Sequence, residues 1–173
     1  IFKIDSTGFP QKVAANAKLT IIEFADFQCP HCKHAGEALT KALKKYEGKF
    51  NVVFMDFPLK GDVSQAVAVG GQCAQDQGKF WEYHDAAFAA QAQLNKDFPF
   101  KLAKDLKLDE AKFKACFDGA DAGKRVAKAR AEGNKIGLSG TPGLFLNGRR
   151  LRAHEGDELD QEIEQMLKKA GAS

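Results

Sequence analysis

The sequence has no long hydrophobic run. Even Asn51 to Pro58 is interrupted by Asp56, and nothing approaches the ~18 apolar residues that cross a bilayer, so the expectation is a soluble domain. An excess of charge of one sign is also lacking. Twenty-six basic against 23 acidic residues leave a net charge of +3, which provides no electrostatic footprint for nucleic acid or a membrane surface. Internal repeats and low-complexity tracts are absent. With 44% hydrophobic and 28% charged residues, the composition is that of a globular protein rather than a disordered or collagen-like one. The 173 residues suffice for one domain with a full core and leave no room for a second full domain. Cysteine is scarce and unevenly spaced: Cys29 and Cys32 are three apart, whereas Cys73 and Cys116 stand alone. An even count permits two disulfides, and a distant pair is tolerated best in an oxidising compartment. The opening Ile1, in place of methionine, carries the expectation that a signal peptide has been removed.

What is present reads as an α/β chain with a helical interruption. Leu19 to Phe24 is a nearly continuous β-rich apolar run, as expected of a strand covered on both faces. Ala35, Ala38, Leu39, Ala42, Leu43 and Tyr46 then fall at helical spacing, with Gly48 just beyond the end. Asn51 to Asp56 supplies a second buried strand. Strand, helix, strand demands a right-handed crossover if the two strands are parallel neighbours. From Asp62 to about Ile136 the β signal disappears, and helices are expected around Val63 to Gln77, Lys79 to Gln93, Pro99 to Leu106, Asp109 to Phe117 and Ala122 to Lys135. The β signal returns at Leu144 to Leu146. Asn147-Gly148 then marks a hairpin into Arg149 to Ala153. Leu159, Ile163, Met166 and Leu167 define a closing helix that ends in Lys168 and Lys169.

The chemistry sits in Cys29-Pro30-His31-Cys32, directly after the first strand and where the first helix begins. Pro30 near the first helical position has a suitable φ and loses no needed N–H. Cys29 at the helix mouth then faces unsatisfied backbone N–H groups and the positive end of the dipole, both of which favour thiolate over thiol. His31 can add positive charge or a hydrogen bond to the Cys29 sulfur. Cys32 lies on the same face at a bridgeable distance, so Cys29 is expected exposed and Cys32 shielded. A zinc site is disfavoured: the only nearby additions are His31 and His34, and no second close cysteine pair completes a tetrahedral set. A c-type haem attachment fails because Lys33 stands where the histidine is required.

Phe27-Gln28-Cys29-Pro30-His31-Cys32 after a buried strand, a helical insertion, Cys73 to Asp85 within that insertion, and Gly140-Thr141-Pro142 before a hairpin together resemble the DsbA-like branch of the thioredoxin superfamily. The resemblance covers nearly the whole chain. It implies a thioredoxin fold with an inserted all-helical domain: residues 1–61 and 137–173 as the two thioredoxin-like parts and 62–136 as the insertion. It implies that Thr141-Pro142 is a cis peptide beside the Cys29 sulfur, leaving the Thr141 backbone to pair with an extended substrate segment. It also implies that Glu23, in an otherwise apolar strand, is a buried acid that helps move the proton of Cys32, with its pKa raised by burial. Cys73 and Cys116 resemble the second pair of some DsbA-like proteins, a structural disulfide; two separate buried thiols are the alternative. His34, His84 and His154 are expected to be surface or structural residues, and Trp81, Tyr83 and Phe88 to pack the core. Arg149, Arg150 and Arg152 should form an exposed strand face.

The expected function is a monomeric, periplasmic or otherwise extracytoplasmic thiol-disulfide oxidoreductase that donates the Cys29–Cys32 disulfide to unfolded or reduced polypeptides. It needs no cofactor, metal or nucleic acid. The resemblance implies reoxidation by a membrane partner of the DsbB or vitamin K epoxide reductase type. Thr141 before the proline also resembles disulfide isomerases, so an isomerase or reductase is the alternative within the same chemistry. In a different class, a redox-inactive zinc or interaction module would keep the fold without the exchange.

Overall fold

A computed structural model describes residues 1–171. Five strands, β1 (Gln11–Lys12), β2 (Leu19–Ala25), β3 (Phe50–Asp56), β4 (Gly143–Leu146) and β5 (Arg149–Arg150), form one sheet in the order β1-β3-β2-β4-β5. The long strands β2 and β3 are buried at all but one position each. That matches their continuous apolar composition, since a strand covered on both faces cannot alternate with polar residues. The two-residue strands β1 and β5 take the edges and carry Lys12, Arg149 and Arg150, charges that discourage pairing with another chain. The edge strand β1, which pairs antiparallel with β3 (Gln11 opposite Val53), is absent from the sequence reading because two residues are too few to show a period.

The chain divides into two compact units. The first comprises Ile1–Ala25, Cys29–Met55 and the chain from Ile136 onward; the second comprises Asp26–Gln28 and Asp56–Lys135. In the first unit, helix α1 (Pro30–Lys45) buries Cys32, Ala35, Leu39 and Ala42 along one stripe and ends with Lys44 and Lys45 in its last turn, matched to the negative dipole end. Antiparallel pairing of β2 with β4 runs from Ile21 opposite Leu146 to Phe24 opposite Gly143. β4 turns into β5 through Asn147 and Gly148, whose φ values of 47° and 82° are those of the two-residue hairpin turn that matches strand twist. The outgoing strand is shorter than the Arg149 to Ala153 read from the sequence. Beyond Leu151, the N–H groups of Arg152 and Ala153 leave the ladder and donate to the Glu162 carboxylate at 2.7 and 2.8 Å.

The second unit holds helices α2 (Gly61–Asp76), α3 (Phe80–Ala89), α4 (Phe98–Asp105), α5 (Glu110–Asp118) and α6 (Asp121–Lys135). Its main segment begins at Asp56, six residues before the expected boundary at 62, and Asp26–Gln28 bonds to Leu59 and to the first turn of α2. Asp26 accepts hydrogen bonds from Leu59 N–H at 2.9 Å and Ser64 Oγ at 3.0 Å, and Gln28 Nε2 donates to Ser64 Oγ at 2.6 Å. The single helix expected over Lys79 to Gln93 stops at Ala89, and a 3-10 turn follows at Gln91–Gln93. Phe27, Tyr83, His84 and Phe88 cluster in the core, with Phe27 and Phe88 ring centroids 5.0 Å apart. Tyr83 Oη donates to the Val67 carbonyl at 2.7 Å. A Cβ on Gly70 would collide with that hydroxyl and with Pro99, so the α2 backbone can approach only as glycine. Trp81 is half-buried, its ring edge-on to Phe80 at 5.0 Å. The last element, α7 (Gly156–Lys169), belongs to the first unit and buries Leu159, Ile163 and Leu167 at four-residue intervals. No helix among the described residues is long and apolar enough to cross a membrane.

Candidate functional site

Cys29 is the N-cap of α1, in extended conformation (φ −89°, ψ 119°), with Pro30 at the first helical position. Its carbonyl accepts the N–H groups of Cys32 and Lys33 at 3.1 and 3.2 Å, the bonds that start the helix. Cys29 and Cys32 are a dithiol in this structure. The expected contrast in exposure needs correction: Cys29 is only 7% exposed and Cys32 0%. Cys29 is thus the more accessible of two buried sulfurs rather than an exposed one. Its thiol lies 3.6 Å from the carbonyl oxygen of Thr141, toward which it donates.

The Thr141–Pro142 peptide bond is cis. Pro142 is buried and leads directly into β4, where Leu144 sits opposite Glu23 of β2. Strand register therefore sets Glu23 across from the residue two beyond the proline. Glu23 is 2% exposed, and its Oε2 has no hydrogen-bond partner. Burial pushes its pKa from 4.5 up to about 8, against a smaller opposing pull from the Lys12 charge. At neutral pH this carboxyl holds its proton.

His31 is exposed, and its Nδ1 lies 3.4 Å from Glu155 Oε1; His34 Nδ1 lies 2.9 Å from Glu155 Oε2. One carboxylate thus receives both imidazoles of the first helical turn. Desolvation is the largest single influence on the Glu155 carboxyl and raises it, but the hydrogen bonds and charges of His34 and His31 together outweigh it and hold the group below the usual carboxylate range. The His154 ring stands edge-on to His31 with centroids 5.7 Å apart. Glu155 is the residue the sequence reading missed. It is 121 positions from His34, and a lone glutamate before a terminal helix carries no signal of its own.

The remaining predicted residues lie elsewhere. Cys73 on α2 and Cys116 on α5 are joined by a disulfide with Cα atoms 5.7 Å apart, within the helical unit. His84 is buried against Phe27, Phe80 and Phe88, and its Nδ1 is 2.8 Å from Asp85 Oδ1. That unit also buries Asp56, which accepts a hydrogen bond from Gln72 Nε2 at 2.9 Å and whose pKa burial raises to about 7. For a metal, His31, His34 and Glu155 are the one set of three potential donors found together among the described residues.

A family model described as Thioredoxin matches residues 14–165. A probable disulfide bond formation protein D of Bacillus cereus is 27% identical over 166 residues, covering 89% of this chain and 76% of that protein. The Na(+)/H(+) antiporter NhaA 3 of Salinispora tropica is 34% identical over 137 residues, covering 78% of this chain but 21% of the antiporter. The chain therefore spans about a fifth of the length of that relative. Among solved structures, oxidised BdbD from Bacillus subtilis superposes with a TM-score of 0.84 at 22% identity, covering 95% of this chain and 96% of that one. The likeness to BdbD establishes the fold.

Proposed function

Since this chain belongs to the thioredoxin family, we propose that it is a thiol-disulfide oxidoreductase that gives its Cys29–Cys32 disulfide to reduced polypeptides. The observation that carries the reading is the sulfur of Cys29 at the N-terminus of α1, 3.6 Å from the Thr141 carbonyl. A helix mouth favours the leaving thiolate, and an adjacent backbone can receive an extended peptide by short strand pairing. The disulfide bond formation protein among the relatives supports the same chemistry.

The exchange balances in two steps. A substrate thiolate attacks Cys29 Sγ of the oxidised protein; the Cys29–Cys32 bond breaks, and Cys32 leaves as thiolate. A second substrate thiolate then attacks the substrate sulfur of the mixed disulfide and expels Cys29. Two electrons pass from substrate to protein, the substrate gains one disulfide, and the cysteines end as a dithiol. Glu23, protonated at neutral pH, is the buried acid proposed to supply a proton to Cys32 as it leaves. Thr141 and Pro142 hold the peptide, and Pro30 and His31 shape the mouth around Cys29. The direction proposed is oxidation, in an extracytoplasmic compartment and as a monomer, with a membrane oxidoreductase of the DsbB or vitamin K epoxide reductase type restoring the disulfide.

The test mixes stoichiometric oxidised protein with a reduced four-cysteine substrate and, separately, with a scrambled one. Oxidation faster than repair, with both lost in Cys29→Ser, is expected. Efficient repair with negligible oxidation would replace the oxidase reading with the isomerase.

A further inference from the structure

We propose that His31, His34 and Glu155 form a binding site for a divalent first-row cation of the zinc class, taken by two imidazole nitrogens and one carboxylate oxygen. The donor atoms already converge. The Nδ1 atoms of His31 and His34 lie 3.4 and 2.9 Å from the two oxygens of Glu155, and all three donors fall within 4.8 Å of one another. Bonds of about 2.0–2.1 Å to a tetrahedral ion put neighbouring ligands roughly 3.3 Å apart, so an ion replaces the present hydrogen bonds with small side-chain adjustments.

The donors are mounted on ordered elements. His31 and His34 are three apart on the first turn of α1, fixed by Pro30 at the helix start, and Glu155 is the N-cap of α7. Such i, i+3 spacing sets both imidazoles on one face. Two histidines and one carboxylate with a remaining open position make a known type of zinc donor set. Imidazole donors select Zn²⁺ or Cu²⁺ over Ca²⁺ or Mg²⁺, which prefer all-oxygen shells.

A second observation comes from His154. Its ring stands edge-on to His31 with centroids 5.7 Å apart, and its Nδ1 is buried without a hydrogen-bond partner, so an imidazole with an unpaired nitrogen flanks His31 outside the three-donor set. Access is open: His34 and Glu155 line a groove of about 600 Å³ together with Glu37, Lys41 and Asp160. The positive end of α1 disfavours a cation at this place, and the Glu155 charge offsets it. None of the three donors is a cysteine, so the site stands whether or not the exchange reading holds.

The experiment uses the full chain with Cys29 and Cys32 oxidised, so that no thiol competes. Co²⁺ is titrated while its visible ligand-field bands are followed, and Zn²⁺ affinity is measured by displacing the bound Co²⁺. The expected result is one Co²⁺ per chain displaced by one Zn²⁺, with His34→Ala and Glu155→Gln each weakening the metal by about tenfold or more, since changes even in groups behind the ligands cost 10- to 100-fold. Both positions are on the surface, and unchanged circular dichroism checks folding. Absence of Co²⁺ bands at millimolar metal, or an affinity the same within twofold in both variants, would overturn the proposal.

Discussion

Replacing Glu23 by glutamine should flatten the pH dependence of stability. Glu23 is fully buried, and its pKa rises from 4.5 to about 8, chiefly through desolvation. The folded state therefore keeps the proton up to about pH 8, while the unfolded chain releases it from about pH 4.5. Between those values the native state binds more protons, so stability falls as pH rises, by up to about 1.4 kcal/mol per pH unit. Below pH 4.5 both states are protonated and nothing is lost. By pH 7 the loss is about 3 kcal/mol, and near pH 8 it levels off at about 5 kcal/mol. Glutamine has nearly the same shape and cannot ionise. Its amide leaves a donor near the position where Glu23 Oε2 already has no partner, a cost that does not vary with pH and cancels in the slope. Urea unfolding of both oxidised proteins, followed by far-UV ellipticity at pH 5, 6, 7 and 8, gives the comparison. The variant should gain on the wild type steadily across that range, by about 3 kcal/mol or more in total. Parallel curves, with the difference changing by less than about 1 kcal/mol, would refute the assignment of Glu23 as a buried protonated acid.

Asp56→Asn should act with the same sign in a lower window, because burial raises the Asp56 pKa from 3.8 to about 7: the variant should gain about 3 kcal/mol on the wild type between pH 4 and 7 when the unfolding series is extended down to pH 4. Removing the Cys73–Cys116 bridge with Cys73→Ala and Cys116→Ala frees a chain segment with a sequence separation of 43. Denaturant midpoints should report a loss of up to about 4 kcal/mol, while exchange activity at 25 °C is largely kept. After reduction, a pulse of iodoacetamide followed by peptide mapping should find Cys29 modified well before Cys32, since only Cys29 retains accessible surface. Equal rates would reverse the roles of the two sulfurs.

Sequence alone determined those features whose causes lie within a few residues of each other. The continuous apolar runs of β2 and β3, the helical stripe from Ala35 to Ala42, the Asn147-Gly148 turn and the dithiol at a strand-to-helix junction all rest on local geometry. They were legible for that reason. The disulfide partners could be named only through family resemblance, since spacing alone leaves every pairing of lone cysteines open. Tertiary packing decided the rest. β1 exists because β3 offers it a partner, and β5 stops early because Glu162 on α7 takes the N–H groups of Arg152 and Ala153. The placement of Glu23 across from Leu144 follows from strand register, and its pKa from burial, neither of which is written in any window of sequence. The convergence of His31 and His34 on Glu155, over 121 positions of chain in the case of His34, appears only once α7 has packed against α1 and fixed its N-cap beside that helix's first turn.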